Sequence, residues 1–121
     1  MTGGHRVLLI DDDASTRGLL SELLAGEGYE TRTAAGGREG LTVLGEWRPD
    51  LVMLDLSLPD MDARTFRVAQ RKLTGAAEVP LLVVSAATNV QEQAGQLGAA
   101  EGIAKPFDVD HVVTSVARLT N

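Results

Sequence analysis

Two stretches of the chain are apolar at nearly every position, and each ends on a polar side chain. They span residues 51–54 and 81–84, and Asp55 and Ser85 follow them directly. A strand that is apolar on both faces is typical of the middle of a parallel sheet covered by helices. Ligands of such sheets bind beyond the carboxyl ends of the strands, so Asp55 is a candidate for chemistry.

The remaining apolar positions predict further strands and helices between and around these runs. Strands are predicted at residues 6–10, 29–33, 51–54, 81–85 and 102–104, and helices at 14–27, 36–47, 63–72, 89–97 and 109–119. Strand and helix alternate five times, a pattern that predicts a parallel sheet with right-handed crossovers. We therefore expect an α/β fold, a three-layer doubly wound (βα)5 sandwich of flavodoxin-like type with strand order 2-1-3-4-5.

The length and composition narrow the class of protein further. With 121 residues, the chain fits one domain, which we expect to span residues 1–121 with its core at about 6–119. The absence of cysteine excludes a disulfide framework, a thiolate nucleophile and a zinc site with sulfur ligands. The formal net charge of −6 argues against a nucleic-acid-binding surface.

The chain also lacks the apolar segments that membranes require. No apolar run approaches the length of a membrane-spanning helix, and residues 1–6 lack the apolar core of a signal peptide. We expect a soluble cytoplasmic protein that binds neither membrane nor nucleic acid.

The predicted strand order brings five chemically active side chains to one edge of the sheet, namely Asp11, Asp12, Asp55, Ser85 and Lys105. Carboxylates that are packed together raise their own pKa values unless a cation neutralises them, so three acids call for a hard divalent metal. Mg²⁺ is the natural candidate because it leaves room for phosphoryl oxygens. The lysine and the hydroxyl could hold a phosphoryl group while one carboxylate attacks phosphorus, and Asp55, single and central, is the expected nucleophile.

Each of these side chains also has a simpler interpretation. An acid-rich turn such as 11–13 is typical of a helix amino-terminal cap, which is the role we expect for Asp13. The turn at residues 60–62 is expected to cap the helix predicted from residue 63 in the same way. Ser85 alone fits a strand-end hydroxyl bonded to backbone, and Lys105 alone fits a solvated charge. A specific role for Lys105 is favoured because nine of the eleven basic residues of the chain are arginines.

The strand-end residues together resemble the signature of response-regulator receiver domains. The segments that carry the resemblance are Asp11-Asp12, Leu54-Asp55-Leu56-Ser57-Leu58-Pro59, Ser85-Ala86 and Lys105-Pro106-Phe107. They occur in the family's order, and the resemblance extends over about residues 6–119. It implies a signalling phosphoacceptor rather than a conventional enzyme, whose only catalysis would be its own phosphorylation and dephosphorylation.

The resemblance also implies a role for each site residue. Asp55 would accept a phosphoryl group from a sensor histidine kinase or phosphotransfer protein, and binding to a downstream effector would then change through the helical face. Asp11, Asp12, Asp55 and the backbone carbonyl of Ser57 would bind Mg²⁺, while Ser85 and Lys105 would contact the phosphoryl group. The Lys105-Pro106 peptide bond is expected to be cis.

The chain departs from the family pattern at a position that matters for signalling. Receivers usually carry an aromatic residue three positions before the lysine, and this chain has Gly102 there. With no side chain to swing, we expect the signal to travel through loop or helix movement. The charged residues typical of receivers that dimerise are mostly absent from residues 99–119, so we expect a monomer or weak dimer.

Two other classes of protein remain open from the sequence. A phosphorylation-independent pseudo-receiver, which is a protein-interaction module of the same shape, would fit Gly102. A phosphatase of the haloacid dehalogenase type also uses an aspartyl nucleophile, but it typically has a second aspartate where this chain has Ser57, and it is longer. The sequence fits both a stand-alone receiver and the receiver segment of a longer regulator or hybrid kinase.

Residues outside the sheet edge are expected to have structural or solvent-facing roles. We expect His5 and His111 to face solvent without binding a ligand or carrying phosphate. Trp47 is expected to pack at the far end of the sheet. One helix has a basic face that we interpret as solvated, with contact to a kinase or effector as the alternative. This face is formed by Arg64, Arg67, Arg71 and Lys72.

Overall fold

The computed structural model describes residues 5–121 and contains five parallel strands and five helices in strict alternation. The strands are β1 (Arg6–Ile10), β2 (Glu30–Ala34), β3 (Leu51–Leu54), β4 (Leu81–Ser85) and β5 (Glu101–Ala104). The helices are α1 (Ala14–Gly26), α2 (Gly37–Trp47), α3 (Ala63–Gln70), α4 (Val90–Gln96) and α5 (Val109–Thr120). All strand pairs are parallel and the order is β2-β1-β3-β4-β5, which confirms the predicted fold.

The core is divided by the sheet because alternate residues of each central strand point to opposite faces. On one face, Val7 and Leu9 of β1 pack with residues of α1 and α5. On the other face, Leu8 and Ile10 pack with residues of α2 and α3. Every residue of β3 and β4 is buried, as the apolar runs at residues 51–54 and 81–84 predict. β2 lies at an edge and is largely exposed.

The ends of α1 and α3 are set by carboxylate caps. Asp13 accepts a hydrogen bond from the Thr16 amide at 3.2 Å, and Asp62 accepts one from the Thr65 amide at 2.7 Å. The cap role predicted for Asp13 is therefore confirmed. The turn before α3 was predicted to act as its cap from residue 60 onward, but Asp60 bonds to α2 instead.

The helix predicted over residues 63–72 ends earlier, at Gln70. The amides of Lys72 and Leu73 bond to carbonyls three residues back, so the chain tightens into a turn. The fully buried side chain of Gln70 then donates to the carbonyls of Ala76 and Val79 at 3.2 and 2.9 Å. These bonds, which no helical pattern encodes, shape the connection to β4.

Trp47 is buried near the amino end of β1, as predicted. The guanidinium groups of Arg6 and Arg32 lie 5.5 and 4.9 Å from the centre of its ring.

His111 is exposed as predicted, with its Nε2 atom 2.9 Å from Glu101. His5, in contrast, is only partly exposed, and its Nδ1 atom lies 3.7 Å from Asp50.

Residues 1–4 lie outside the described part of the chain. The segment that was predicted to lack the apolar core of a signal peptide, residues 1–6, is therefore mostly outside it as well. Among the helices of residues 5–121, none combines the length and the apolar character needed to cross a membrane.

Candidate functional site

Asp11 and Asp55 lie side by side because they follow two neighbouring strands. The Asp55 amide donates to the Ile10 carbonyl at 2.9 Å, which continues the pairing of β1 with β3 by one step. The Asp11 amide donates to the Ala34 carbonyl of β2 at 3.1 Å. Both acids are almost completely buried, with 5% and 6% of their surface exposed.

Three carboxylates converge at this edge of the sheet, as predicted. Asp11, Asp12 and Asp55 each offer an oxygen, and these oxygens all lie within 4.8 Å of one another. Asp12 is exposed to solvent, whereas the other two acids line the floor of the site. A set of hard oxygen donors that is open on one side suits a small divalent cation that keeps some of its water.

Lys105 reaches this cluster from the end of β5. Its ammonium nitrogen lies 2.7 Å from Asp11 Oδ2 and 3.1 Å from Asp55 Oδ2. The Lys105 amide donates to the Ser85 carbonyl at 2.8 Å, and the Lys105-Pro106 peptide bond is cis, as predicted. The alternative of a freely solvated lysine is wrong for this structure.

The charge balance at the cluster favours a cation. Burial alone would lower the pKa of Lys105, but its hydrogen bonds to Asp11 and Asp55 outweigh burial and raise that pKa. The lysine is therefore charged at neutral pH, yet one ammonium cannot neutralise three carboxylates. Three carboxylates and one ammonium leave two negative charges, which a divalent cation would balance. The residues present therefore fit Mg²⁺ by charge as well as by donor type.

The two serines predicted at the site have different surroundings. The Ser57 amide donates to Asp55 Oδ1 at 3.0 Å, so the chain after Asp55 turns back over its carboxylate. Ser85 is fully buried at the end of β4, and its hydroxyl accepts a hydrogen bond from the Ala87 amide at 3.2 Å. In this state the Ser85 hydroxyl therefore bonds to backbone, which was the simpler of its two interpretations.

Arg17 is a site residue that sequence reasoning missed. Its guanidinium donates to the Asp11 backbone carbonyl at 2.7 Å. It also lines a cavity of about 10 Å³ beneath the acids, together with Asp11 and Asp55. The cavity has about the space of one water molecule. Arg17 lies in the first turns of α1, facing the end of β1. The sequence pattern that revealed the acids consists of residues at strand ends, so it does not include a residue on a helix.

Gly102 is buried in β5 under α4. A Cβ atom at this position would lie 2.9 Å from the Ala94 Cβ and 3.1 Å from the Val90 carbonyl oxygen. The Gln91 side-chain amide donates to the Gly102 carbonyl. Helix α4 therefore lies directly against the strand at the position where a side chain would otherwise separate them.

The basic face of α3 is less uniform than predicted. Arg64, Arg71 and Lys72 are exposed, whereas Arg67 is partly buried and turned toward the end of α4. Arg67 donates to the carbonyls of Leu97 and Gly98, each at 3.0 Å. The interpretation of Arg67 as a solvated side chain is wrong, because it satisfies the carbonyls left free where α4 ends.

Comparison with known proteins identifies the family. The family model described as "Response regulator receiver domain" matches residues 7–117. The chain is 32% identical over 114 residues to sporulation initiation phosphotransferase F of Bacillus subtilis, an alignment that covers 94% of this chain and 92% of that protein. The chain therefore belongs to the response regulator receiver domain family, which decides against the phosphatase class.

Other relatives extend beyond a receiver. The DNA-binding response regulator MtrA of Mycobacterium tuberculosis is 39% identical over 118 residues, which cover 95% of this chain and 50% of MtrA. The chain thus spans about half the length of this relative.

Solved structures agree with the fold. Chemotaxis protein CheY4 of Vibrio cholerae superposes with a TM-score of 0.86 at 30% identity, covering 95% of this chain and 98% of CheY4. The non-phosphorylated HemR receiver domain of Leptospira biflexa gives 0.84 at 30% identity, covering 97% and 94%.

Membership of this family places the chain in two-component signalling. Receiver domains take part in phosphorelay signalling with histidine kinases or phosphotransfer proteins, and they are not conventional enzymes. They generally bind Mg²⁺ at an acidic cluster, and the group formed by Asp11, Asp12 and Asp55 is such a cluster.

Proposed function

We propose that this domain accepts a phosphoryl group on Asp55 from a phosphohistidine protein in a reaction that requires Mg²⁺. The observation that carries this proposal is the position of the Asp55 carboxylate, which is buried, flanked by two further acids and bonded to Lys105. A carboxylate in these surroundings can act as a nucleophile. The Lys105 ammonium beside it supplies positive charge for the oxygens of the incoming phosphoryl group.

The transfer step needs no base, because a carboxylate oxygen has no proton to lose when it attacks. A bond forms between an Asp55 oxygen and phosphorus, and the bond between phosphorus and the donor's imidazole nitrogen breaks, with the electron pair leaving on that nitrogen. Asp11, Asp12, Asp55 and the Ser57 carbonyl would hold Mg²⁺, which supplies positive charge to the phosphoryl oxygens.

Lys105 and Ser85 would contact the phosphoryl group once it is attached. The Lys105 ammonium is already 3.1 Å from Asp55 Oδ2, so it can follow the negative charge as that charge moves onto the phosphoryl oxygens. The Ser85 hydroxyl accepts from the Ala87 amide and keeps its own proton, because a hydroxyl accepts and donates at the same time. That proton is available for a phosphoryl oxygen.

We also propose an atypical route from the site to the effector-binding surface. A side chain that rotates cannot carry the signal at Gly102, and α4 packs directly against this position. Movement of α4 as a unit, with its Gln91 bond to the Gly102 carbonyl, would change the helical surface instead. The partner would be an effector protein, and the domain would act in the cytoplasm as one receiver of about residues 6–119.

The phosphorylation-independent interaction module remains the second candidate. Gly102 supports it, since this position has no side chain that could pass a change at Asp55 on to the helical surface. In that case the helical surface would bind its partner without any phosphoryl group on Asp55.

The experiment is incubation of the protein with acetyl phosphate, with and without Mg²⁺, followed by intact mass measurement. Asp55→Asn is the test variant. Asp13→Asn is the matched control, because it makes the same change beside the cluster while keeping a cap acceptor for α1. We expect an adduct of one phosphoryl group in the wild type and the control, only with Mg²⁺, and none in Asp55→Asn. An unmodified wild type that also fails to bind Mg²⁺ would favour the interaction module.

A further inference from the structure

The amino terminus of α2 is capped by a residue from a distant part of the chain. A helix leaves its first amides without partners, and its own N-cap side chain usually accepts one of them. The N-cap of α2 is Gly36, which has no side chain. Instead, Asp60 Oδ1 accepts from the Gly37 amide at 2.8 Å and Asp60 Oδ2 accepts from the Arg38 amide at 2.9 Å.

The contact depends on Gly36 and Gly37 because the start of α2 and residues 60–61 approach each other closely. A Cβ atom on Gly36 would lie 2.9 Å from Asp60 Oδ1, and one on Gly37 would lie 2.5 Å from the Met61 Cγ atom. Both positions therefore accommodate the side chains of the loop, Asp60 by hydrogen bonding and Met61 by packing. The start of α2 thus binds residue 60 and packs against residue 61.

The loop in question is the one that follows Asp55. It is held near its start by the bond from the Ser57 amide to Asp55 and near its end by the Asp62 cap of α3. Residues 58–61 lie between these two points. The bonds of Asp60 supply a third point, and they join the loop to a different layer of the molecule.

Helix α2 connects this third point to the end of β1. A Cβ atom on Gly40 of α2 would lie 2.4 Å from the Ile10 Cδ1 atom, so the helix lies directly on the last residue of β1. The residue after Ile10 is Asp11, the buried acid of the cluster. Asp60 therefore fixes the loop, through α2, relative to the strand that presents Asp11.

We propose that Asp60 is a positioning residue for the phosphoacceptor site, which holds the Ser57 backbone at a fixed place beside Asp55 and Asp11. This inference rests on the proposed function, because it concerns the Ser57 carbonyl as a ligand of Mg²⁺. Backbone hydrogen bonds from Arg38 and Gly37 lower the pKa of Asp60, so the carboxylate keeps both acceptor oxygens at neutral pH.

The test compares three variants of the full chain with the wild type. Asp60→Ala removes both bonds. Asp60→Asn keeps one acceptor oxygen and replaces the other by a donor, so it should rescue partly. Asp62→Ala is the matched control, since it also removes a carboxylate cap from this loop, but one whose bond stays within α3.

Two readouts separate positioning from general loss of stability. The first is Mg²⁺ affinity, measured by titration followed by NMR. We expect Asp60→Ala to bind about tenfold more weakly, at the lower end of the range for loss of an outer partner of a metal site. Asp60→Asn should lie between Asp60→Ala and the wild type, and Asp62→Ala should match the wild type.

The second readout is amide hydrogen exchange without metal. Asp60→Ala should speed exchange at Ser57 as well as at Gly37 and Arg38, whereas Asp62→Ala should speed exchange at Thr65. Unchanged Mg²⁺ affinity and unchanged Ser57 exchange in Asp60→Ala would overturn the proposal, as would equal losses in Asp60→Ala and Asp62→Ala. A wild type that does not bind Mg²⁺ would instead contradict the proposed function, and Ser57 exchange would still decide whether Asp60 positions the loop.

Discussion

The Lys105 ammonium nitrogen lies 3.1 Å from Asp55 Oδ2 and, in the same position, 2.7 Å from Asp11 Oδ2. A single cation thus holds together two buried carboxylates that would otherwise repel each other. The arrangement makes Lys105 important for stability before any phosphoryl group arrives.

We predict that Lys105→Met destabilises the metal-free protein by about 3 kcal/mol. This is the low end for removing one partner of a buried ion pair, because 18% of the Lys105 side chain remains exposed. Urea denaturation followed by circular dichroism measures the loss. Lys105→Arg keeps the charge and should lose less. Equal stability of Lys105→Met and wild type would contradict the prediction.

Mg²⁺ should compensate for the missing ammonium of Lys105→Met. With the lysine gone, the cation meets no competing positive charge at Asp11 and Asp55, so we expect tighter Mg²⁺ binding than in the wild type. The melting temperature of Lys105→Met should therefore rise more on addition of Mg²⁺. A smaller rise than in the wild type would show that Lys105 and the cation do not share these carboxylates.

Gly102→Ala should destabilise the domain because α4 leaves no room for the added methyl group. Its Cβ would lie 2.9 Å from the Ala94 Cβ and 3.1 Å from the Val90 carbonyl oxygen. We expect a loss of about 1–3 kcal/mol, typical of overpacking. The double variant Gly102→Ala/Ala94→Gly relieves one of the two contacts, so the two changes should be less destabilising together than their sum in urea denaturation. Additive losses would mean that the added methyl group does not meet the Ala94 side chain.

Arg67→Ala should loosen the end of α4. The substitution removes the guanidinium bonds to the Leu97 and Gly98 carbonyls and should cost about 1–2 kcal/mol, typical of bonds to a charged group near the surface. Hydrogen exchange should accelerate within α4. Arg64→Ala is the matched control on the same helix, with an exposed side chain, and should leave that exchange unchanged. Equal effects of both variants would contradict the assignment.

Stability should fall in acid partly through the Asp62 cap. Hydrogen bonds from Thr65 lower the pKa of Asp62 in the folded state. A lowered pKa contributes stability that is present above the unfolded value of about 3.9 and is lost as the pH falls through the folded value. Asp62→Asn caps the helix without titrating, so its urea midpoint should fall less than that of the wild type between pH 5 and pH 3. Parallel falls would exclude this contribution.

The fold and most of the site could be predicted because both follow from where strands end. The buried runs of β3 and β4 reveal the parallel sheet, and its edge then brings Asp11, Asp12 and Asp55 together. Lys105 could be placed at the same edge because the short fifth strand ends just before it. The strand-end pattern therefore carries the fold and the charged residues of the site in one signal.

The remaining features depend on side chains that meet across long separations in the chain. Arg67 reaches carbonyls about 30 residues away, and Asp60 caps a helix that begins 23 residues before it. Sequence periodicity describes only which face of an element is buried, so it assigned Arg67 to solvent and Asp60 to the nearest helix. The sequence shows directly that position 102 is a glycine and not an aromatic residue. It does not show that α4 packs against that position.

The position of Trp47 gives the chain a built-in optical reporter. It is the single tryptophan, buried near the amino end of β1, whereas Asp55 follows the carboxyl end of β3. Its fluorescence should follow the opening of the sheet and remain insensitive to what binds at the acids. Trp47 fluorescence can therefore record folding of the unlabelled protein at any level of ligand occupancy.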